Sequence, residues 1–222
     1  MKLTGAIFDM DGTLIDSLIF WDILWEEFTR RYGYFRPDPE ADKTIRTIPM
    51  KDAMHYIHDR FGLGSGGAEL LDIAHRMIRA FYENQVQLKP GVMEFLTCCR
   101  ERGIQMCVAS ATDPALVRVA MAHCGIASFF SDVVSCADLG KGKEEPDVFL
   151  LARERLGTPM DETWVFEDSY VALLTAHRAG FPTVGVYDRF GFRQDLMRET
   201  ATVYIGEGET LMKVMDIGEV VV

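Results

Sequence analysis

Residues 163–188 read TWVFEDSYVALLTAHRAGFPTVGVYD. TWVFED is an apolar run that ends in two acids. SYVALLTAHRAG spaces its apolar residues as a helix does and stops at Gly180, and PTVGVYD is a second β-branched run. Strand, helix and strand in so short a span make a right-handed βαβ unit, and therefore a parallel sheet. The same alternation extends upstream. A helix over 91–102 closes at Gly103, and IQMCVAS (104–110) is an apolar strand. DPALVRVAMAHCG (113–125) is a helix with Pro114 in its first turn and Gly125 past its end. DVVSC (132–136) is a short strand, and PDVFLLARERLG (146–157) is a helix opening on Pro146. Lys2–Met10 reads as one further buried strand at the start of the chain.

Between that strand and residue 86 the texture is helical. SLIFWDILWEEFTRRYG (17–33), PMKDAMHYIHDRFG (49–62) and GAELLDIAHRMIRAFYENQ (67–85) each space apolar residues by three and four. The expected organisation is an α/β core of residues 1–15 and 88–222, with an all-helical domain, 16–87, inserted after the first strand. Leu14–Ser17 and Val86–Pro90 are the linkers, expected to lie side by side as a hinge. Asp16 or Ser17 is expected to cap the first inserted helix, and Trp21, Ile23, Leu24, Trp25 and Phe28 to build the inserted domain's core.

The bulk numbers narrow the functional classes. The chain has 222 residues, 48% of them hydrophobic and 26% charged, as in a globular protein with one sizeable core and room for a smaller lobe. A net charge of −11 argues against a nucleic-acid partner or an anionic membrane surface. No apolar run approaches the roughly 20 residues of a membrane helix. Asp9 and Asp11 interrupt the only N-terminal apolar segment, so no secretory signal is expected. Five cysteines in no metal-type pattern read as buried, reduced thiols of a cytoplasmic protein; a monomer is expected.

In a parallel α/β sheet, ligands collect beyond the carboxyl ends of the strands. Asp9 and Asp11 follow the first strand, Ser110 and Thr112 follow CVA, Glu167 and Asp168 follow WVF, and Lys143 precedes the helix at Pro146. Carboxylates crowded behind buried strands cost stability unless a cation meets them. Converging there, they bind a hard cation, and Mg²⁺ suits an all-oxygen donor set. Mg²⁺ also accepts phosphate oxygens, which makes phosphoryl transfer the natural use of such a site.

DMDGTLIDS (9–17), VASAT (108–112), GKGKEEPDVF (140–149) and VFEDSYVALLTAHRAG (165–180) resemble, in order, the four motifs of the haloacid dehalogenase (HAD) superfamily. More narrowly they resemble its helical-cap phosphatases and the β-phosphoglucomutase-like branch. The resemblance covers the whole core, whereas the inserted domain matches only in being helical. It implies a Rossmann-like parallel sheet with helices on both faces and an inserted helical cap; residues 17–85 are expected to rotate over the site about the two linkers, because an aspartyl phosphate must form away from bulk water. By this resemblance Asp9 is the nucleophile and forms an aspartyl phosphate. Asp11 is general acid, then general base, and its backbone carbonyl is a metal ligand. Ser110 and the amide of Ala111 bind phosphate, Lys143 balances charge between nucleophile and phosphate, and Asp168 with Glu167 completes the Mg²⁺ site. Dehalogenases resemble this chain in the first Asp but lack the second acid, because displacing a halide needs no proton donor; Asp11 therefore points to a phosphate ester. The implied function is a Mg²⁺-dependent phosphatase of a small phosphorylated metabolite. The alternatives are a phosphomutase of the β-phosphoglucomutase type and, from another class, a non-catalytic binding protein on the same fold. Trp21 stands where the mutases carry a cap His, and Ala172 where relatives carry Gly. His55, His58 and His75 read as surface or packing residues, and Arg46, Lys51, Arg76 and Arg79 as solvated helix faces.

Overall fold

The computed structural model describes residues 2–217. They divide into two compact units, residues 2–17 with 86–217, and Leu18–Gln85.

The first unit is built on six parallel strands: β1 (Gly5–Phe8), β2 (Gln105–Ser110), β3 (Asp132–Ser135), β4 (Thr163–Glu167), β5 (Thr183–Val186) and β6 (Val203–Ile205). Their order is β3-β2-β1-β4-β5-β6. Ile7 lies beside Cys107 on one side and Val165 on the other. Buried on both faces, these strands read as continuous apolar runs rather than alternating ones. Successive side chains nevertheless point to opposite faces. Ile7, Cys107, Ala109 and Val165 pack with Val148, Phe149 and Ala152 of α8 (Asp147–Leu156) and with Ala172 and Ala176 of α9 (Tyr170–Arg178). On the other face Phe8 stacks on Phe166 at 4.5 Å and meets Phe95 of α5 (Val92–Glu101) edge-on at 6.1 Å. The sheet is thus covered on both faces. α6 (Pro114–His123), α7 (Cys136–Leu139), α10 (Gln194–Thr200) and α11 (Lys213–Asp216) complete the unit. The strand order reverses between β1 and β4, and there the chains leaving adjacent strands diverge and open a crevice.

The first strand is shorter than Lys2–Met10. It ends at Phe8 because Met10 already belongs to a turn: its carbonyl accepts from the amides of both Leu14 and Ile15. Gly12 takes φ +82° in that turn, a conformation that favours glycine. The segments flanking the insertion pair with each other, Asp16 N–H donating to Gln87 O and Lys89 N–H to Leu14 O. This pairing keeps residues 16–17 and 86–87 with the sheet unit, so the second unit is Leu18–Gln85 where 16–87 was expected.

The second unit holds α1 (Phe20–Tyr32), α2 (Pro39–Thr47), α3 (Met50–Phe61) and α4 (Gly67–Asn84). Helix α1 starts later than expected and neither Asp16 nor Ser17 caps it; the capping position is Ile19, without a side-chain bond. Ser17 is engaged elsewhere, its hydroxyl donating to Asp11. Phe20, Leu24, Trp25 and Phe28 form the buried face of α1, whereas Trp21 and Ile23 are only half-buried. Trp25 donates its indole N–H to Asp42 at 3.1 Å. Arg46 is no solvated residue: its side chain is 7% exposed, and its guanidinium clamps Asp22 and Asp42, each at 2.9 Å, while donating to Leu18 O. Lys51, Arg76, His55 and His75 are exposed, Arg79 pairs with Glu83, and His58 Nδ1 lies 2.8 Å from Leu63 O. Three of the cysteines are buried, but Cys98 and Cys124 only partly, and none is paired in a disulfide. Burial pushes the thiols of Cys99 and Cys107 up to about 12. Among the described residues no helix is long and apolar enough to cross a membrane.

Candidate active site

The residues expected to carry chemistry meet at the carboxyl ends of β1, β2 and β4. Asp9 follows β1 directly, and its amide donates to Phe166 O of β4 at 2.9 Å, which fixes the start of the loop against the neighbouring strand. Glu167 ends β4 and Asp168 follows it. Asp9, Glu167 and Asp168 are each more than nine-tenths buried. Each offers a carboxylate oxygen, and these oxygens lie within 4.8 Å of one another. Lys143, from the loop between α7 and α8, donates to Asp9 Oδ1 and to Glu167 Oε1, both at 2.5 Å. Its side chain is 11% exposed.

Asp11 lies beyond this group, and its carboxylate is not among the three. Oδ1 accepts from Ser17 Oγ at 2.7 Å and Oδ2 from Thr112 Oγ1 at 2.8 Å. A carboxylate with a hydroxyl on each oxygen is held in one rotamer. Ser110 ends β2 and is buried, its Oγ accepting from Thr112 N–H, while Ala111 is exposed beside it. Thr112 is fixed in turn, because its carbonyl accepts from Ser135 Oγ at 3.1 Å. Thr13 Oγ1 reaches Asp168 Oδ1 at 3.5 Å. The roles of the Thr13, Ser17 and Thr112 hydroxyls emerge only from the folded chain, because the acids they meet lie 155, 6 and 101 positions away and no local pattern marks them.

Burial sets the electrostatics. It pushes the Asp9 carboxyl up to about 7; Lys143 opposes the shift, and Glu167 and Asp11 add to it. Burial also raises Glu167 against the pull of Lys143. Asp168 is raised well above the carboxylate range by burial and by the charges of Asp9, Glu167 and Asp188, with Lys89 opposing. Burial disfavours the charge on Lys143, yet Asp9 and Glu167 outweigh it and hold the ammonium protonated beyond the usual lysine range. Three carboxylates against one ammonium leave an excess of buried negative charge. Oxygen donors so placed fit a hard divalent cation.

This excess charge makes the stability of the metal-free protein depend on pH. A carboxyl whose pKa is higher folded than unfolded favours the fold while protonated. That advantage is complete below the unfolded value and is lost as pH rises through the folded one. Metal-free protein should therefore lose stability between about pH 4 and about pH 7, the window set by Asp9. Asp168→Asn should raise its melting temperature at pH 7.5 by at least ~2 °C, the shift that about 1 kcal/mol gives a chain of this length. Thermal denaturation in chelator checks both, and a lowered melting temperature would contradict the excess of negative charge around Asp168.

A six-stranded parallel sheet of this order places the acidic group at its switch point, where such sheets bind their ligands. The family model for haloacid dehalogenase-like hydrolases matches residues 3–180, and the chain belongs to that family. The chain is 26% identical to fructose-1-phosphate phosphatase YqaB of Escherichia coli over 83% of this chain and 97% of the relative. It is 30% identical to phosphoglycolate phosphatase of Rhodobacter capsulatus over 81% of this chain and 82% of the relative. The crystal structure of β-phosphoglucomutase from Clostridium difficile shares the fold, with a TM-score of 0.72 at 16% identity over 96% of both chains. The chain is a phosphoric monoester hydrolase.

Proposed function

We propose that this chain is a Mg²⁺-dependent phosphatase of small phosphorylated sugars that works through an aspartyl phosphate on Asp9. The observation that carries the reading is the buried group of Asp9, Glu167 and Asp168 with Lys143 bridging two of its members. Asp9, Asp168 and Glu167, with the backbone carbonyl of Asp11, would hold the metal; bound there, Mg²⁺ neutralises charge on the phosphoryl oxygens. Asp9 Oδ attacks phosphorus as the bond from phosphorus to the ester oxygen breaks. Asp11 gives its proton to the departing alkoxide, then takes one from the water that cleaves the acyl phosphate. Ser110 Oγ–H and Ala111 N–H donate to the phosphoryl oxygens, and Lys143 compensates the charge that Asp9 and the phosphate bring together. The sugar-phosphate class rests on relatives named as fructose-1-phosphate and hexitol phosphatases. Those names favour water over a second sugar as acceptor, so a phosphomutase is the lesser reading. A non-catalytic role is disfavoured because Asp9, Asp11, Lys143 and Asp168 are all present.

The test is a screen for phosphate release from fructose 1-phosphate, a hexitol phosphate, 2-phosphoglycolate and glucose 1-phosphate. At least one ester should turn over with Mg²⁺. Exhaustive chelation should cut the rate by more than ~10²-fold, and Mg²⁺ should restore it. Undiminished turnover after chelation would refute the metal, and inertness toward every ester would refute the substrate class.

A further inference from the structure

Lys89 sits in the second linker, outside every motif discussed above, yet its side chain reaches into the loop that carries Asp11. Its ammonium donates to Gly12 O at 2.6 Å, to Tyr187 O at 2.7 Å and to Asp188 Oδ2 at 3.0 Å. Those three acceptors use all three of its hydrogens. The Lys89 side chain is 16% exposed and that of Asp188 2%, so the pair is largely shielded from water. Asp188 is itself fixed just past β5: its Oδ1 accepts from Phe190 N–H at 2.9 Å and its carbonyl from Gly191 N–H. Lys89 also holds the same loop by its main chain, through Leu14 O. Gly12 is bracketed by Asp11, whose oxygens are set by Ser17 and Thr112, and by Thr13, which contacts Asp168. Gly12 φ is +82°, and no side chain of its own stiffens the turn; its carbonyl is pinned by Lys89.

We infer that Lys89, anchored on Asp188, is a positioning residue for proton transfer: it fixes the Gly12 turn and so sets where Asp11 presents its carboxyl. The inference rests on the reading of Asp11 as the acid to the leaving group. An exposed salt bridge would contribute little, but this one holds a backbone carbonyl one residue from the proton donor. Small misplacements there cost rate out of proportion to stability.

The discriminating readout is the leaving group. Expulsion of p-nitrophenolate needs little help from an acid, whereas expulsion of phenolate, nearly the same shape, needs more. In Lys89→Met the kcat/KM for phenyl phosphate, which covers the steps up to aspartyl-phosphate formation and not the hydrolysis common to both esters, should fall by ~30-fold or more, within the range general acid catalysis commands. For p-nitrophenyl phosphate it should fall by no more than ~3-fold, since little acid catalysis is at stake there. Lys89→Met leaves Asp188 buried and unpaired, so the double variant Lys89→Met/Asp188→Leu removes that charge too. The double variant should recover thermal stability while keeping the altered ratio between the esters, because Gly12 O still lacks its donor. Equal losses on both esters, or a wild-type ratio in both variants, would overturn the inference and leave the phosphatase reading standing. A wild-type enzyme inert toward both esters as well as the sugar phosphates would overturn that reading and this inference with it.

Discussion

Asp9→Asn abolishes phosphate release, by ~10⁴-fold or more, the scale on which loss of a covalent nucleophile is felt. An amide does not form the acyl phosphate. The fold should be unaffected. Asn nearly preserves the shape of Asp, its amide oxygen still accepts from Lys143, and the backbone bond from residue 9 to Phe166 O does not involve the side chain. Burial already disfavours the Asp9 charge, so the metal-free variant should melt no lower than wild type. Steady-state phosphate release from purified, Mg²⁺-loaded protein checks the first part and thermal denaturation the second. Retention of a few per cent of the rate would remove Asp9 as nucleophile.

Lys143→Met has the opposite effect on stability and a comparable direction in rate. The ammonium separates Asp9 from Glu167 with a 2.5 Å bond to each, in a setting only 11% exposed on the lysine side. Met fills most of the same volume but leaves two buried carboxylates facing each other. Breaking a buried pair by removing one partner costs about 3–5 kcal/mol, which lowers the melting temperature of the metal-free protein by roughly 10 °C. Mg²⁺ recovers part of that loss, since it meets the same carboxylates. It does not recover the rate, which should fall by ~10²–10³-fold for want of a charge aimed at the phosphoryl group. Lys143→Arg is expected to rescue poorly, because a planar fork does not bond two carboxylates as a compact ammonium does. Melting curves with and without Mg²⁺, beside kcat, check the account; an unchanged melting temperature in chelator would show that Lys143 is not the counter-charge.

Asp168→Asn and Lys143→Met are thus opposite perturbations of one charge imbalance, raising and lowering metal-free stability, and the same imbalance explains why the site was legible from sequence. Acids that end apolar strands, as Asp9, Glu167 and Asp168 do, sit in a burial pattern that a surface acid does not show. Lys143 is recognisable only through its motif, since a lysine in a glycine-flanked loop carries no burial signal of its own. The sheet is legible up to β5 because each strand is a short apolar run closed by a polar stop, at Asp9, Ser110, Ser135, Glu167 and Asp188. β6 is hard to read because it is three residues long. Helix α2 is equally hard because its buried face is Ala41 and Ile45 alone, although Asp38, which accepts from the amides of Glu40 and Ala41, and Pro39 form a proper start. Arg46 belongs to that helix, which is why a buried clamp reads as a solvated cation. Lys89 and Asp188 are 99 positions apart in the chain, and nothing local marks either. Their pairing depends on β5 ending beside the Gly12 turn, which is a property of the sheet.

The central claim is that Asp9 accepts the phosphoryl group. Its most direct test is chemical trapping: Mg²⁺-loaded wild-type protein is mixed with a turned-over sugar phosphate, quenched within the first turnovers, and reduced with borohydride, which converts an acyl phosphate to the alcohol. Peptide mass spectrometry should find homoserine in place of aspartate at residue 9, dependent on substrate and absent from Asp9→Asn. Reduction at another carboxylate, or none at any carboxylate in protein that is releasing phosphate, would contradict the assignment.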